Sequence, residues 1–133
     1  MSRKIKKVLI VDDDANIRLI TEISLQGLTD WQVRQAANGK EAMASVHANC
    51  PDLVLLDMMM PDTDGLALME QIKSCHTPST PIVIFLTAKV LNQEVERYRS
   101  LGAAGVIAKP FDPMKLPEQI SAIVNCADRQ IIL

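Results

Sequence analysis

Aspartates stand where buried strands should end. The apolar run Val8–Val11 stops at Asp12-Asp13-Asp14, and the run Leu53–Leu56 stops at Asp57. Ile82–Leu86 stops at Thr87, and Val106–Ala108 leads into Lys109-Pro110. If these runs lie side by side in one parallel sheet, the polar groups after them face a single crevice. At least three carboxylates then converge, and like charges a few ångströms apart either force one to protonate or recruit a cation. One lysine cannot balance them. A hard divalent ion bound through oxygen can, and Mg²⁺ (or Mn²⁺) suits a site with few protein ligands and room for water and a phosphoryl oxygen. Helix capping is the plainer use of Asp12–Asp14, and Asp14 is best placed for it. Capping accounts for one aspartate, not for Asp57 meeting the others.

The elements that must position these groups are legible in outline. The four runs do not alternate polar with apolar, so they read as strands buried on both faces. Trp31–Ala36 is a weaker strand, alternating Trp31, Val33 and Gln35 against polar neighbours, and suits a sheet edge. Helical spacing fills the gaps. Ile17, Ile20, Ser24 and Leu28 share one face, with Gly27 near that helix's end. Asn38 and Glu41 resemble a capping box ahead of Ala42 and Val46. Leu66, Met69 and Ile72 follow Gly65, and Val95, Tyr98 and Leu101 follow Asn92 and end at Gly102. Asp112-Pro113 reads as a cap and first turn leading into Leu116, Ile120 and Val124. Five βα units imply an α/β three-layer sandwich of the flavodoxin-like kind, a parallel sheet of order 2-1-3-4-5 with right-handed crossovers. Ligands of such folds sit beyond the carboxyl ends of the strands, at the switch point between the first and third.

The same residues resemble a known family. Val8-Leu9-Ile10-Val11-Asp12-Asp13-Asp14 with Arg18, Asp52–Pro61 with Asp64-Gly65, Thr87-Ala88, and Gly105 to Lys109-Pro110-Phe111 are similar to the receiver domain of bacterial response regulators. All four motifs stand in order, from about Lys7 to about Ala127. The resemblance implies that Asp57 is the phosphoacceptor of a two-component system, a carboxylate nucleophile that forms an aspartyl phosphate. It implies Mg²⁺ held by Asp13, by Asp12 directly or through water, by Asp57 and by the Met59 backbone carbonyl. Thr87 and Ala88 are the implied phosphoryl-binding switch pair. Lys109 is the implied cation that pairs with Asp57 and then with the phosphoryl group, and Lys109-Pro110 is a candidate cis bond aiming it inward. The implied signal is a conformational change at the face of the fourth helix, fifth strand and fifth helix. One position departs from the family: where many receivers carry an inward-turning aromatic on the fifth strand, this chain has Val106, with Tyr98 and Phe111 the nearby aromatics.

The implied partners are a sensor histidine kinase or histidine phosphotransfer protein and a downstream effector. A donor histidine must reach Asp57 in line, so docking is expected on the crevice rim at Ala15, Asn16, Ile17, Pro110 and Phe111. Met59 and Lys89 flank the path of an attacking water. Neither is suited to orienting or deprotonating it, so a long-lived aspartyl phosphate is expected. A haloacid-dehalogenase-like phosphatase would carry a second aspartate two residues beyond the nucleophile, where this chain has Met59. A flavin carrier would carry a Ser/Thr/Gly-rich loop in place of Asp12-Asp13-Asp14. A receiver fold serving only as a binding module would lack one or more of Asp12, Asp13, Asp57, Thr87 and Lys109.

Bulk properties fit this reading. The 133 residues suit one domain over 1–133, with a core of about 7–127. Net charge of −2 argues against a surface built to grip nucleic acid, and Arg3–Lys7 reads as a solvated start. Cys50, Cys75 and Cys126 are widely spaced and odd in number, which fits reduced thiols in the cytoplasm. No run approaches the ~20 apolar residues of a membrane span. His47 and His76 lack partners at motif spacing and read as surface, and Met58–Met60 as loop and core packing. The expected state is a stand-alone monomer or a weak, phosphorylation-linked dimer.

Overall fold

A computed structural model describes residues 5–75, 80–88 and 90–132, with only the backbone of 127–132. Strands and helices alternate along the chain: β1 (Lys7–Val11), α1 (Ala15–Leu28), β2 (Gln32–Ala36), α2 (Gly39–Ala48), β3 (Leu53–Asp57), α3 (Gly65–Lys73), β4 (Ile82–Thr87), α4 (Asn92–Ser100), β5 (Gly105–Ala108) and α5 (Leu116–Ile132). The strands form one parallel sheet in the order β2-β1-β3-β4-β5, as expected of the flavodoxin-like arrangement.

Side-chain alternation splits the core into two layers. Leu9, Val11, Val54, Leu56, Val83 and Phe85 point to the side covered by α2 and α3, where Ala42, Val46, Leu68, Met69 and Ile72 are buried. Val8, Ile10, Leu53, Leu55, Ile84 and Leu86 point to the side covered by Leu25 of α1 and by Leu116, Ile120 and Val124 of α5. The period of two is present in these strands, although both of its phases are apolar.

Three helices and the edge strand depart from the expected pattern. In α1 the buried residues are Thr21, Ser24 and Leu25, whereas Ile20 and Leu28 are 41% and 47% exposed and Ile17 is half-buried. Thr21 Oγ1 donates to the Ile17 carbonyl at 2.6 Å, so a satisfied hydroxyl occupies a core position that reads as polar in the sequence. Helix α5 begins at Leu116, and Asp112-Pro113 instead belong to the preceding turn, where Asp112 accepts the Met114 N–H at 2.9 Å. In β2, Val33 and Ala36 are buried but Gln35 is exposed, since the edge strand buries one residue against each layer. Asn38 caps α2 as expected, its side chain accepting the Glu41 N–H at 2.9 Å, while Glu41 reaches back to the Ala37 N–H. Leu101, expected on the inner face of α4, is 47% exposed, and no α4 residue is fully buried.

Two glycines flanking the α4–β5 connection are required by geometry. Gly102, just past α4, has φ +116°, a conformation other residues adopt only with strain. At Gly105 a Cβ would stand 2.8 Å from Ile123 Cγ2, so the absence of a side chain lets α5 close on β5.

Leu55 is fully buried beneath α1 and α5. Leu55→Ala is expected to lower unfolding free energy by about 2–5 kcal/mol in a urea titration. A loss under about 0.5 kcal/mol would show that this layer is not close-packed.

Candidate phosphoacceptor and metal site

Register delivers the acidic cluster. Val11 pairs with Leu56, so the next residues, Asp12 and Asp57, stand level on adjacent strands, whose spacing is about 4.8 Å. Asp57 pairs with Leu86 and Thr87 with Ala108, which sets Thr87 and Lys109 at the same edge. The Lys109 N–H donates to the Thr87 carbonyl at 2.8 Å. The Lys109-Pro110 bond is cis, as proposed from the sequence.

Carboxylate oxygens of Asp12, Asp13 and Asp57 lie within 4.8 Å of one another, the only group of three such ligating side chains among the described residues. Asp12 and Asp57 are buried at 0% and 2% exposure, and Asp13 faces solvent. Lys109 Nζ lies 2.6 Å from Asp12 Oδ2 and 3.2 Å from Asp57 Oδ1. It therefore bridges both buried acids, with the shorter contact to Asp12, although the expected partner was Asp57. Thr87 is buried at the end of β4 and Ala88 is exposed beside it.

The electrostatics are short of positive charge. Burial pushes the Asp12 carboxyl above the usual carboxylate range, with the Asp57 charge adding to it. The Lys109 ammonium and the Asp14 N–H oppose this without cancelling it. Burial alone would lower Lys109; its hydrogen bond to Asp12 and the charges of Asp12 and Asp57 outweigh that and hold it above the usual lysine range. One lysine against three carboxylates leaves a deficit that a divalent cation matches. The donors are all hard oxygens, which fits Mg²⁺.

Backbone groups and one arginine fix the loops. Asp14 caps α1, accepting the Asn16 N–H at 2.8 Å, as anticipated. Asp12 Oδ1 accepts the Asp14 N–H at 2.9 Å, and Asp57 Oδ1 accepts the Met59 N–H at 3.0 Å. Arg18 donates to the Asp12 carbonyl at 2.6 Å and to Gln35 at 3.1 Å, and Gln35 donates to Glu22 at 2.9 Å. The sequence carried Arg18 only as part of a motif. Its position one turn beyond the Asp14 cap was the available signal for this role.

Of the expected docking residues, Ala15, Asn16 and Pro110 are exposed, while Ile17 and Phe111 are half-buried, Phe111 against the α1/α5 layer. Met59 is 67% exposed, Met60 is buried and Met58 is half-buried, in line with a loop that partly enters the core. Val106 is half-buried on the α2/α3 side. Tyr98 packs there too, edge-on to Phe85, with ring centroids 5.2 Å apart. His47 is exposed. His76 and Lys89 lie outside the described residues.

This fold and this acidic site are of the receiver type, and comparison with known proteins agrees. The model of the response regulator receiver domain matches residues 8–121, and the chain belongs to that family. It is 35% identical over 131 residues to the probable transcriptional regulator ycf27 of Porphyra purpurea, covering 97% of this chain and 51% of that protein. It is 37% identical over 126 residues to the transcriptional regulatory protein ResD of Bacillus subtilis, covering 92% and 50%. The chain thus spans about half the length of these curated relatives. Among solved structures it superposes on the chemotaxis response regulator CheY4 of Vibrio cholerae with a TM-score of 0.80, at 27% identity, covering 90% of this chain and 99% of that one. No described helix is long and apolar enough to cross a membrane.

Asp13→Ala is expected to weaken Mg²⁺ binding by roughly tenfold or more, about 1.4 kcal/mol, in a calorimetric titration. Thr87→Ala should leave it nearly unchanged, because Thr87 lies outside the carboxylate cluster. Equal losses in both variants would contradict this division of roles.

Proposed function

We propose that this receiver domain takes a phosphoryl group from a histidine kinase or histidine phosphotransfer protein onto Asp57. The observation that carries the reading is the buried Asp57 carboxylate, 3.2 Å from Lys109 and clustered with Asp12 and Asp13. An Asp57 oxygen attacks phosphorus in line, the P–N bond to the donor imidazole breaks, and the departing imidazole recovers its electron pair. Asp12, Asp13, Asp57 and the Met59 carbonyl would hold Mg²⁺, which would supply charge neutralisation for the phosphoryl group. Lys109 stabilises the same developing charge from the strand side. The Thr87 hydroxyl and Ala88 then bind the attached group, and their movement carries the signal toward α4, β5 and α5. With Val106 on β5, that movement proceeds without an aromatic at that position.

The domain on this reading is a substrate and switch rather than an enzyme with turnover. Self-dephosphorylation is slow, since Met59 offers an attacking water neither a base nor an orienting hydrogen bond. The phosphatase alternative needs an acid at that same position and is disfavoured. We place the reaction in the cytoplasm, where the phosphodonor is charged by ATP. The effector that reads the switch is a property of the whole protein.

Incubation with acetyl phosphate and Mg²⁺ should add one phosphoryl group, seen by intact mass. EDTA or Asp57→Asn should abolish it. Undiminished labelling of Asp57→Asn would remove Asp57 from its assigned role.

The donor protein is proposed to dock on Ala15, Asn16, Ile17, Pro110 and Phe111. Leu19, Ile20 and Ile23 support this choice, being 52%, 41% and 61% exposed and continuing the rim along α1. Ile20→Glu should slow transfer from the cognate partner roughly tenfold or more, a loss of about 1.4 kcal/mol, while labelling by acetyl phosphate stays at the wild-type rate. Unchanged transfer from the partner would place docking elsewhere.

A further inference from the structure

Asp13 is the carboxylate of the cluster that faces solvent, so its backbone must be held for its side chain to stay with the other two. The Asp12 carbonyl and the Asp13 nitrogen and Cα belong to one planar peptide unit. Fixing that carbonyl therefore fixes the direction in which Asp13 leaves the chain. Two contacts from outside β1 grip this stretch. The Asp12 N–H donates to the Ala36 carbonyl of β2 at 3.1 Å, and Arg18 Nη1 donates to the Asp12 carbonyl at 2.6 Å. Arg18 is itself aimed. Its Nε donates to Gln35 Oε1 at 3.1 Å, and Gln35 Nε2 donates to Glu22 Oε2 at 2.9 Å. A guanidinium only donates and an ionised carboxylate only accepts, so one orientation of the Gln35 amide serves both neighbours. Gln35 stands beside Ile10 in the β1–β2 register, and Glu22 lies one helical turn beyond Arg18 on α1. Helix and edge strand thus converge on one main-chain oxygen of the acidic loop.

We infer that Arg18, held in place by Gln35 and Glu22, is a positioning residue for the cation site, acting on Asp13 through the Asp12–Asp13 peptide rather than through its charge. The inference rests on the reading of Asp12, Asp13 and Asp57 as Mg²⁺ ligands. Charge and geometry make opposite demands here, which lets them be told apart. Arg18 brings a positive charge up to the acidic loop, and that charge repels an arriving cation. If charge were its whole effect, removing Arg18 would tighten Mg²⁺ binding. As the clamp on the Asp12 carbonyl it has the reverse effect: without it the peptide is free to turn, and ordering Asp13 then costs conformational entropy at each binding event. The clamp outweighs the charge. A half-buried guanidinium is screened by water and salt, whereas groups that orient metal ligands from behind are typically worth ten- to a hundredfold in affinity.

The test titrates the full chain with MgCl₂ by calorimetry, with no phosphodonor present, so that it does not depend on transfer to Asp57. Arg18→Ala should bind Mg²⁺ about tenfold more weakly than the wild type. Gln35→Ala changes no charge and sits at an exposed position of the edge strand. It should weaken binding about threefold, the effect of one hydrogen bond that aims Arg18. The double variant should bind no more weakly than Arg18→Ala alone, because Gln35 acts through Arg18. A urea titration in EDTA shows that each variant is folded before Mg²⁺ is added, and Gln35→Ala carries the test should Arg18→Ala fail to fold. Unchanged or tighter binding in either variant, or losses that add in the double variant, would overturn the inference and leave the cation site standing. A wild-type chain that binds no Mg²⁺ would overturn the site reading, and this inference with it.

Discussion

Parallel pairing of β1 with β3 places two acids level at the edge of a sheet whose interior holds no compensating charge. Everything else at that edge answers this one electrostatic demand. Asp12 cannot escape into water, because its side chain is fully buried. Lys109 is brought across two strands, from the far end of β5, to stand between Asp12 and Asp57. A single ammonium satisfies part of the demand, and the rest is what makes the pocket receptive to a divalent cation. On the proposed reading, a phosphoryl group would arrive as an anion into a site that is itself acidic. Attraction for it would then come from a bound cation and from Lys109 rather than from the surroundings of Asp57.

A site built this way needs a stiff frame, since charges at these distances change energy steeply with small displacements. The frame is the two-sided core. Every residue of β3 is buried, and its neighbours β1 and β4 are buried along nearly their whole length. The loops beyond the strands are held by local hydrogen bonds: Asp12 to the Asp14 N–H, Asp57 to the Met59 N–H, and Arg18 to the Asp12 carbonyl. Asp12 and Asp57 thus each have one oxygen engaged in shaping their own loops. Asp12 and Asp57 each serve as turn former, lysine partner and proposed metal ligand at once, which is economical and also makes their single substitutions hard to interpret in isolation.

How much of this was legible in the sequence depended on whether one residue's chemistry reported its burial. The buried strands were readable because branched apolar runs with polar stops have few other uses, and the acids after Val11 and Leu56 followed directly. Helix faces were harder. Ile20 looked like core and Thr21 did not, yet the threonine hydroxyl bonds back to the helix and is buried while the isoleucine faces solvent. The start of α5 was misplaced because Asp112-Pro113 carries the signature of a cap and serves in the preceding turn. The reach of Arg18 to a main-chain carbonyl leaves no pattern in the sequence beyond its spacing from Asp14.

The two ends of β3 therefore carry different chemistries on one rigid element. At its carboxyl end Asp57 sits among charged groups that could hold a cation, and just ahead of its amino end Asp52 accepts two backbone N–H groups. Because the strand is hydrogen-bonded to β1 on one side and β4 on the other, displacing it along its axis would break both ladders together. Helix α3 is joined to Asp57 through the 58–64 loop that precedes it. Asp64 caps that helix, accepting the Leu66 N–H at 3.0 Å. Gly65 comes next and has Met58 packed against it so closely that a Cβ there would stand 2.7 Å from the Met58 sulfur. That contact, together with the cluster shared by Leu68, Met69, Leu56 and Met60, joins α3 closely to the residue next to Asp57.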